Sequence, residues 1–189
     1  MAHDDEEPSF IPSKWSSVLI HIVNMRRRIQ PTLSNHEVGN IYWRSPAYYE
    51  ASETTTKLAD LEIILRQSLS EIDNDFLQKA IGDDGFETLL SSFQELHKLY
   101  EKSSDSYLFT SCRNMGFKEV NFGWGKPIWN ACGAKTLDSI LKNIIILVDT
   151  AIGEGIEAWI VLDDETMRLL ENDHEFLSFA SPNPRIKLA

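Results

Sequence analysis

The chain has 189 residues, of which 42% are hydrophobic and 25% are charged, and its formal net charge is -11 at pH 7. This composition supports a packed core and argues against intrinsic disorder, and the length suits one domain or one lobe of a larger protein. Because the excess of acidic residues repels a phosphate backbone, we expect no nucleic-acid partner.

The sequence contains no feature of a secreted or membrane protein. Two cysteines, Cys112 and Cys132, are too few for a disulfide framework and are expected to be free thiols. The N-terminus, MAHDDEEPSF, is acidic where a secretion signal is basic and then apolar. The longest apolar stretch, IIILV at 144–148, is too short to span a membrane. We therefore expect a cytoplasmic protein that does not bind membranes.

The chain is expected to begin with a tail, residues 1–16, followed by two strands. The β-branched run SVLIHIVNM at 17–25 predicts the first strand, and residues 38–44 predict the second. Two helices are predicted next from apolar residues that repeat every three or four positions. The first stripe contains Leu58, Leu61, Leu65, Leu69, Ile72 and Phe76, and the second contains Phe86, Leu89, Phe93, Leu96 and Tyr100. The sequence GDDG at 82–85 separates the two helices.

Strands return after residue 105. They are predicted at 107–111, 143–150 and 156–162, the last two joined as a hairpin around Gly153-Glu154-Gly155. A last helix is predicted to begin at the acidic residues 163–165 and to turn Met167, Leu170 and Leu177 inward. The order β-β-α-α-β-β-β-α predicts an α/β protein of the α+β type, with a mixed sheet flanked by helices.

One glycine- and aromatic-rich segment carries a family resemblance. Residues 121–127, NFGWGKP, resemble the DFGWGKP signature of the plant BAHD acyl-CoA-dependent acyltransferases. Residues 24–28 (NMRRR), followed by Pro31 and Gly39-Asn40, are similar to the arginine–proline–glycine–asparagine block of that family, and GIEAW at 155–159 is similar to its late strand. Met167, Asp173 and Ser181-Pro182 also fit in order, so the resemblance covers residues 17–189. CRNMG at 112–116 is similar to the vinorine-synthase-like clade, which acetylates alkaloid alcohols.

The resemblance implies the C-terminal lobe of the two-lobed, CAT-like acyltransferase fold. In that family an HXXXD motif of the N-terminal lobe supplies a histidine base, which deprotonates the acceptor hydroxyl before it attacks the thioester of acyl-CoA. None of the five histidines of this chain has an aspartate four residues later. His97, with Glu101, comes nearest, but its position one turn after Phe93 favours packing at the edge of a core, and His174 is interpreted in the same way.

The signature residues Asn121, Phe122, Gly123, Trp124 and Gly125 are interpreted as structural. The glycines are expected to permit a tight loop where side chains would clash, and the aromatic rings are expected to anchor it. The family has an aspartate at position 121, which is understood to pair with an arginine away from the reaction centre. By the resemblance, the partner here is Arg26, with Arg28 second. Asparagine can accept a hydrogen bond from a guanidinium but lacks a charged carboxylate.

For several other residues, both a functional and a structural role remain open. Thr110 matches a family position whose hydroxyl donates to the oxyanion of the reaction intermediate, and it can equally be an ordinary β-branched strand residue. The arginines at 26–28 can bind the phosphates of CoA, although the structural role is favoured. Cys112 is a weak candidate for a nucleophile because no histidine is near it in sequence. The acidic clusters 73–75 and 83–84 lack calcium-loop spacing and indicate solvated helix ends, so we expect no metal site.

Three hypotheses for the function follow. The first is a BAHD O-acyltransferase lobe that uses acyl-CoA, most simply acetyl-CoA, as co-substrate and a small alkaloid-like alcohol as acceptor, with no bound cofactor. Without HXXXD the isolated chain is expected to be inactive. The second is a non-catalytic lobe whose exposed apolar surface binds a missing N-terminal lobe or a full-length relative. The third is a degenerate gene product.

Overall fold

The computed structural model describes residues 15–31, 33–34, 36–51, 57–132, 143–150 and 155–183. The chain divides into two compact units, residues 1–107 and 108–189. Five strands run in the order β2-β1-β3-β4-β5 within one sheet. These are β1 (Ser17–Asn24), β2 (Tyr42–Tyr49), β3 (Asp105–Ser111), β4 (Ile144–Asp149) and β5 (Ile156–Val161). Most of the predicted tail, residues 1–14, and the glycine turn at 153–154 lie outside the described residues.

The first unit contains an antiparallel pair of strands. β1 pairs with β2 from Ser17↔Tyr49 to Asn24↔Tyr42, and Val18 and Ile20 of β1 are almost completely buried. The first strand was predicted to within one residue. The second was predicted too early: β2 begins at Tyr42 and continues to Tyr49, because the aromatic residues that follow Arg44 extend the pairing with β1.

Three helices follow where two were predicted. They are α1 (Leu58–Ser70), α2 (Asn74–Ile81) and α3 (Gly85–Lys102). The first predicted helix is interrupted because Asp73 is an N-cap: its carboxylate accepts a hydrogen bond of 2.8 Å from the backbone N–H of Phe76 and so begins α2. Ile72 and Leu77, on either side of this break, pack with Val23 and Met25 in a buried cluster.

The second unit is built on β4. β3 and β4 are parallel, with Thr110 opposite Ile146, and β4 and β5 are antiparallel, from Ile144↔Val161 to Asp149↔Ile156. Ile144, Ile145 and Val148 are buried, as their apolar run predicted. Parallel and antiparallel pairs together with the helices make this a mixed α/β sheet, which confirms the predicted fold class.

The predicted last helix is two short helices, α4 (Asp164–Glu171) and α5 (His174–Phe179). The cause is again an aspartate cap, since Asp173 accepts a hydrogen bond of 2.9 Å from the N–H of Phe176. Asp163 caps α4 as the acidic cluster predicted. Met167, Leu170 and Leu177 are partly shielded, whereas Leu169 and Phe179 are exposed. Among the described residues, no helix is long and apolar enough to cross a bilayer.

Candidate functional site

The signature loop, residues 121–127, is held by the side chain of its first residue. Asn121 Oδ1 accepts hydrogen bonds from the backbone N–H of Gly123 at 2.8 Å and of Gly125 at 3.2 Å. Gly123 and Gly125 have φ of 108° and 118°, a region that side chains disfavour. A Cβ atom at either position would meet nothing within 4 Å. The glycines are therefore required by the backbone conformation and not, as expected from the sequence, by a steric clash.

The aromatic rings of the loop face solvent. Phe122 and Trp124 stack on each other with centroids 5.6 Å apart, and their residues are 72% and 84% exposed. They do not anchor the loop against other described residues, so that expectation was wrong. The loop is held instead by an ion pair between the Lys126 ammonium and the carboxylate of Glu119. Glu119 belongs to the short 3-10 turn Phe117–Glu119. The hydrogen bond from Lys126 lowers the pKa of Glu119.

Arg26 and Arg28, predicted as structural arginines, donate to backbone carbonyls of the first unit. Arg26 Nη2 donates to Gly39 O at 2.8 Å. Arg28 Nη1 donates to Leu69 O at 3.2 Å and to Ile72 O at 2.9 Å, where α1 ends. The guanidinium of Arg28 therefore neutralises part of the helix C-terminus, a favourable position for a cation. The predicted pairing of Arg26 or Arg28 with Asn121 stays a prediction.

Thr110 lies in β3. A group of residues around the carboxylate of Asp149 lies just after the end of this strand. Asp149, the last residue of β4, accepts hydrogen bonds from Asn114 N at 2.7 Å and from Arg113 Nε at 3.1 Å. The bond from Asn114, followed by that from Arg113, lowers the pKa of Asp149 against the opposing effect of desolvation. Asn114 has a φ of 57°, which asparagine tolerates better than most residues. Asp149 thus fixes the turn that leads from β3 toward the signature loop.

Sequence reasoning did not identify Asp149, because its partners lie 35 and 36 residues away in the chain. Two weak signals were available. Asp149 is a charged residue directly after the apolar run 144–148, and the asparagine and glycine of 114–116 favour a turn with positive φ.

A pocket of about 300 Å³ opens beside this cluster, and its walls include Cys112, Asn130 and Asp149. This volume is at the lower end of the range for sites that hold a small ligand and is smaller than coenzyme A. Burial raises the pKa of the Cys132 thiol, which favours its protonated, unreactive form. Cys112 and Cys132 are both free, as predicted.

The histidines occupy different environments from those predicted. His97 is exposed on α3, and its Nε2 lies 3.4 Å from Glu101 Oε1, so its expected packing at a core edge was wrong. The apolar stripe of α3 is buried mainly at Leu96, and the next position along a helix points about 100° away from it. His174 is the exposed first residue of α5, so its expected packing was also wrong. His21, in β1, is half-buried, and desolvation lowers its pKa.

Comparison with known families gives one match that covers most of the chain. The model of the "Transferase family" matches residues 2–177. The match includes most of residues 1–16, where the sequence alone showed no resemblance. It also includes the signature loop and the Asp149 cluster.

Plant acetyltransferases are similar over most of this chain. A limonoid 7-O-acetyltransferase of Citrus sinensis is 35% identical over 173 residues, which are 91% of this chain and 38% of the relative. Akuammiline synthase 2 of Alstonia scholaris is 35% identical over 90% of this chain and 38% of its own length. Stemmadenine O-acetyltransferase of Catharanthus roseus is 32% identical over 88% of this chain and 35% of its own length. The chain thus spans well under half the length of the curated relatives it matches.

Solved structures agree with the fold. The crystal structure of vinorine synthase has a TM-score of 0.66 and 31% identity, with 89% of this chain and 37% of that chain covered. A protein of F. sporotrichioides crystallised with coenzyme A and T-2 has a TM-score of 0.59 but only 17% identity, over 89% of this chain and 38% of that one. Because its sequence identity is so low, the likeness to the F. sporotrichioides protein concerns the fold alone.

Proposed function

The chain belongs to the Transferase family of BAHD acyltransferases, and from this premise we propose that it is the C-terminal lobe of an acyl-CoA-dependent O-acetyltransferase. The similarity that carries the proposal is 35% identity to a limonoid 7-O-acetyltransferase across 91% of the chain. It is supported by the signature loop, whose first residue and two glycines form one hydrogen-bonded turn.

The proposed acceptor is a hydroxyl group of an alkaloid-like specialised metabolite. The names of the relatives support this class of acceptor: they include stemmadenine and salutaridinol O-acetyltransferases, as well as enzymes that acetylate limonoids. The co-substrate would be acetyl-CoA, in line with two structural neighbours of the same fold, one crystallised with coenzyme A and one with ethyl coenzyme A. We further propose that the protein acts in the cytoplasm.

In the proposed reaction, one lobe supplies the general base and the other supplies a donor to the oxyanion. A histidine of an N-terminal lobe takes the proton of the acceptor hydroxyl, whose oxygen attacks the thioester carbonyl. The tetrahedral intermediate collapses as its C–S bond breaks, which gives the acetyl ester and the thiolate of coenzyme A, and the thiolate takes up the proton that the histidine holds. From this lobe, the Thr110 hydroxyl would donate to the oxyanion, and the Asp149 cluster would keep the end of β3 in place.

This division predicts that the chain has no activity alone. None of its five histidines precedes an aspartate by four residues, and His97 is exposed beside Glu101 on α3. A general base must lie within hydrogen-bond reach of the proton that it removes, whereas His97 is on the surface of α3 with its Nε2 beside Glu101.

The experiment is complementation. The N-terminal portion of vinorine synthase that this chain does not cover would be co-expressed with the chain, and release of coenzyme A measured with a panel of alkaloid and limonoid alcohols. Co-expression of the same portion with vinorine synthase's own C-terminal part is the positive control. If the control pair turns over and the pair with this chain does not, the proposed lobe function is refuted.

Thr110 is tested in the same assay. Thr110→Val keeps the β-branched shape and removes the donor, so kcat should fall about 10²-fold with little change in KM. Thr110→Ser retains a hydroxyl and should keep most of the rate. Equal loss in both variants would assign Thr110 to strand packing only.

A second candidate function is binding without catalysis, and surface exposure in the second unit favours it. Phe122, Trp124 and Phe179 are 72%, 84% and 86% exposed. Large exposed aromatic side chains are unusual unless another surface covers them. The partner would be an N-terminal lobe or a full-length relative. Size-exclusion chromatography with light scattering checks this candidate: a monomer that binds no apolar dye and no N-terminal lobe contradicts it.

A further inference from the structure

The face of the sheet that carries Thr110 also carries a tryptophan. Thr110 of β3 lies opposite Ile146 of β4, and Ile146 lies opposite Trp159 of β5. Residues that lie opposite each other on neighbouring strands point to the same face of a sheet. At ~4.8 Å per strand, the Cα atom of Trp159 therefore lies about 10 Å from that of Thr110, on the same face.

Two further side chains complete a tryptophan–glutamate cluster, which consists of Trp129, Glu157 and Trp159. The rings of Trp129 and Trp159 have centroids 5.2 Å apart, and Trp129 Nε1 donates to Glu157 Oε2 at 3.2 Å. Glu157 is two residues before Trp159 in β5, so both side chains point to the face that carries Thr110. Trp129 is 39% exposed, and the other two residues are half-buried, so the cluster is open to a ligand.

The cluster has the chemistry of a site for an organic cation. Among the described residues Glu157 forms no ion pair, and the hydrogen bond that it accepts comes from a neutral indole. The face of an indole ring attracts cations more strongly than that of any other aromatic side chain. The neighbouring pocket of about 300 Å³ suits a cation less well, because Lys118 lies in its wall.

We propose that the tryptophan–glutamate cluster binds the protonated amine of the acceptor while the acceptor hydroxyl lies near Thr110. The inference rests on the proposed transfer of an acetyl group to an alkaloid-like alcohol, since the basic nitrogen of an alkaloid is protonated near neutral pH. The register of the strands then specifies the acceptor further: its ammonium nitrogen and its reacting oxygen are on the order of 10 Å apart. A limonoid has no basic nitrogen and would gain nothing from Glu157.

Binding of choline to the purified full chain tests the cluster without any need for turnover. Choline is compared with its uncharged carbon analogue, in which a tert-butyl group replaces the trimethylammonium group. The indole N–H signals of Trp129 and Trp159, assigned by NMR from Trp129→Phe and Trp159→Phe, should shift saturably with choline. The dissociation constant of the uncharged analogue should be at least about five-fold higher. Equal affinity of the two compounds, or no shift of either signal, would overturn the inference.

Matched charge variants separate the cluster from the overall charge of -11. Glu157→Gln keeps an oxygen that can accept from Trp129 Nε1 and removes the charge. Choline binding should therefore weaken about five-fold, and binding of the uncharged analogue should not change. Glu175→Gln removes the same charge from an exposed position in α5 and should weaken choline binding less than about two-fold. Equal effects of the two variants would identify general attraction to an acidic protein and reject the site.

The complementation assay separates this inference from the proposed function. When the pair with the natural chain is active, Glu157→Gln should raise the KM of an alkaloid alcohol about five-fold and leave the KM of a limonoid alcohol unchanged. An equal rise for both alcohols would assign Glu157 to the fold and contradict its role in recognition. When that pair is inactive and the control pair is active, the proposed acetyl transfer fails, and the choline titration alone decides whether the cluster is an ammonium site.

Discussion

Replacing Asn121 with aspartate should stabilise the protein. The present amide oxygen accepts hydrogen bonds of 2.8 and 3.2 Å from Gly123 and Gly125. A carboxylate would accept the same two bonds with a charge, and charge-assisted bonds are roughly twice as strong as neutral ones. With about 0.5 kcal/mol for each neutral bond in an exposed loop, Asn121→Asp gains about 1 kcal/mol. This corresponds to a rise in Tm of roughly 2–4 °C for a chain of this size.

Thermal unfolding at two pH values provides the assay. An aspartate that accepts two backbone bonds has a folded pKa below its unfolded value of ~3.9. The gain is therefore complete well above that value and is lost as the pH falls through the folded pKa. Asn121→Ala loses both bonds and should cost about 1 kcal/mol. The expected order of Tm at pH 7 is aspartate, asparagine, alanine, and an aspartate variant no more stable than the natural chain would refute the reasoning.

A double-mutant cycle separates the observed turn from the predicted arginine pair. If the gain comes from the turn alone, Asn121→Asp and Arg26→Gln should be additive in unfolding free energy. If Arg26 supplies a charged partner, the gain in Asn121→Asp should disappear when Arg26 is replaced.

Three further predictions concern ionisation and buried hydroxyls. Because desolvation lowers the pKa of His21, the free energy of unfolding should fall on acidification below ~6.5. The substitution His21→Gln should therefore reduce the change in the urea midpoint between pH 7.5 and 5.5. Asp149 has a lowered pKa, so its contribution is present above the unfolded pKa and lost in acid; Asp149→Asn should reduce Tm at pH 7 and leave it closer to the natural chain at pH 3. Ser45 Oγ donates to Ser68 Oγ at 3.1 Å in a buried position. Each serine-to-alanine change should therefore lower the free energy of unfolding by about 1–2 kcal/mol, and the double variant should lower it by less than the sum, as measured by chemical denaturation.

The regular elements were predictable because local pattern determines them. The β-branched run at 17–25 and the apolar run at 144–148 became β1 and β4 with boundaries close to those predicted. The two missed helix breaks have one cause, since Asp73 and Asp173 each cap a new helix within an apolar stripe that continues past the break. A search for N-cap residues inside the stripes would have found both.

The candidate site was predictable in its motif but not in its contacts. The glycine positions of the signature loop follow from the sequence, yet the exposure of Phe122 and Trp124 does not, since aromatic residues are usually buried. His97 was assigned to packing from an apolar stripe of α3, but Phe93 in that stripe is 51% exposed. Asp149 could not be found from local pattern because its partners are distant in the chain.

The most direct test of the central claim is the rate of coenzyme A release by the purified 189-residue chain, with acetyl-CoA and the alcohol panel, in the absence and presence of the N-terminal portion of vinorine synthase. We expect no release above background from the chain alone and acceptor-dependent release when both parts are present. Turnover by the chain alone at about 1 s⁻¹ or faster, within the ordinary range of enzymes, would contradict the claim that its general base resides in another lobe.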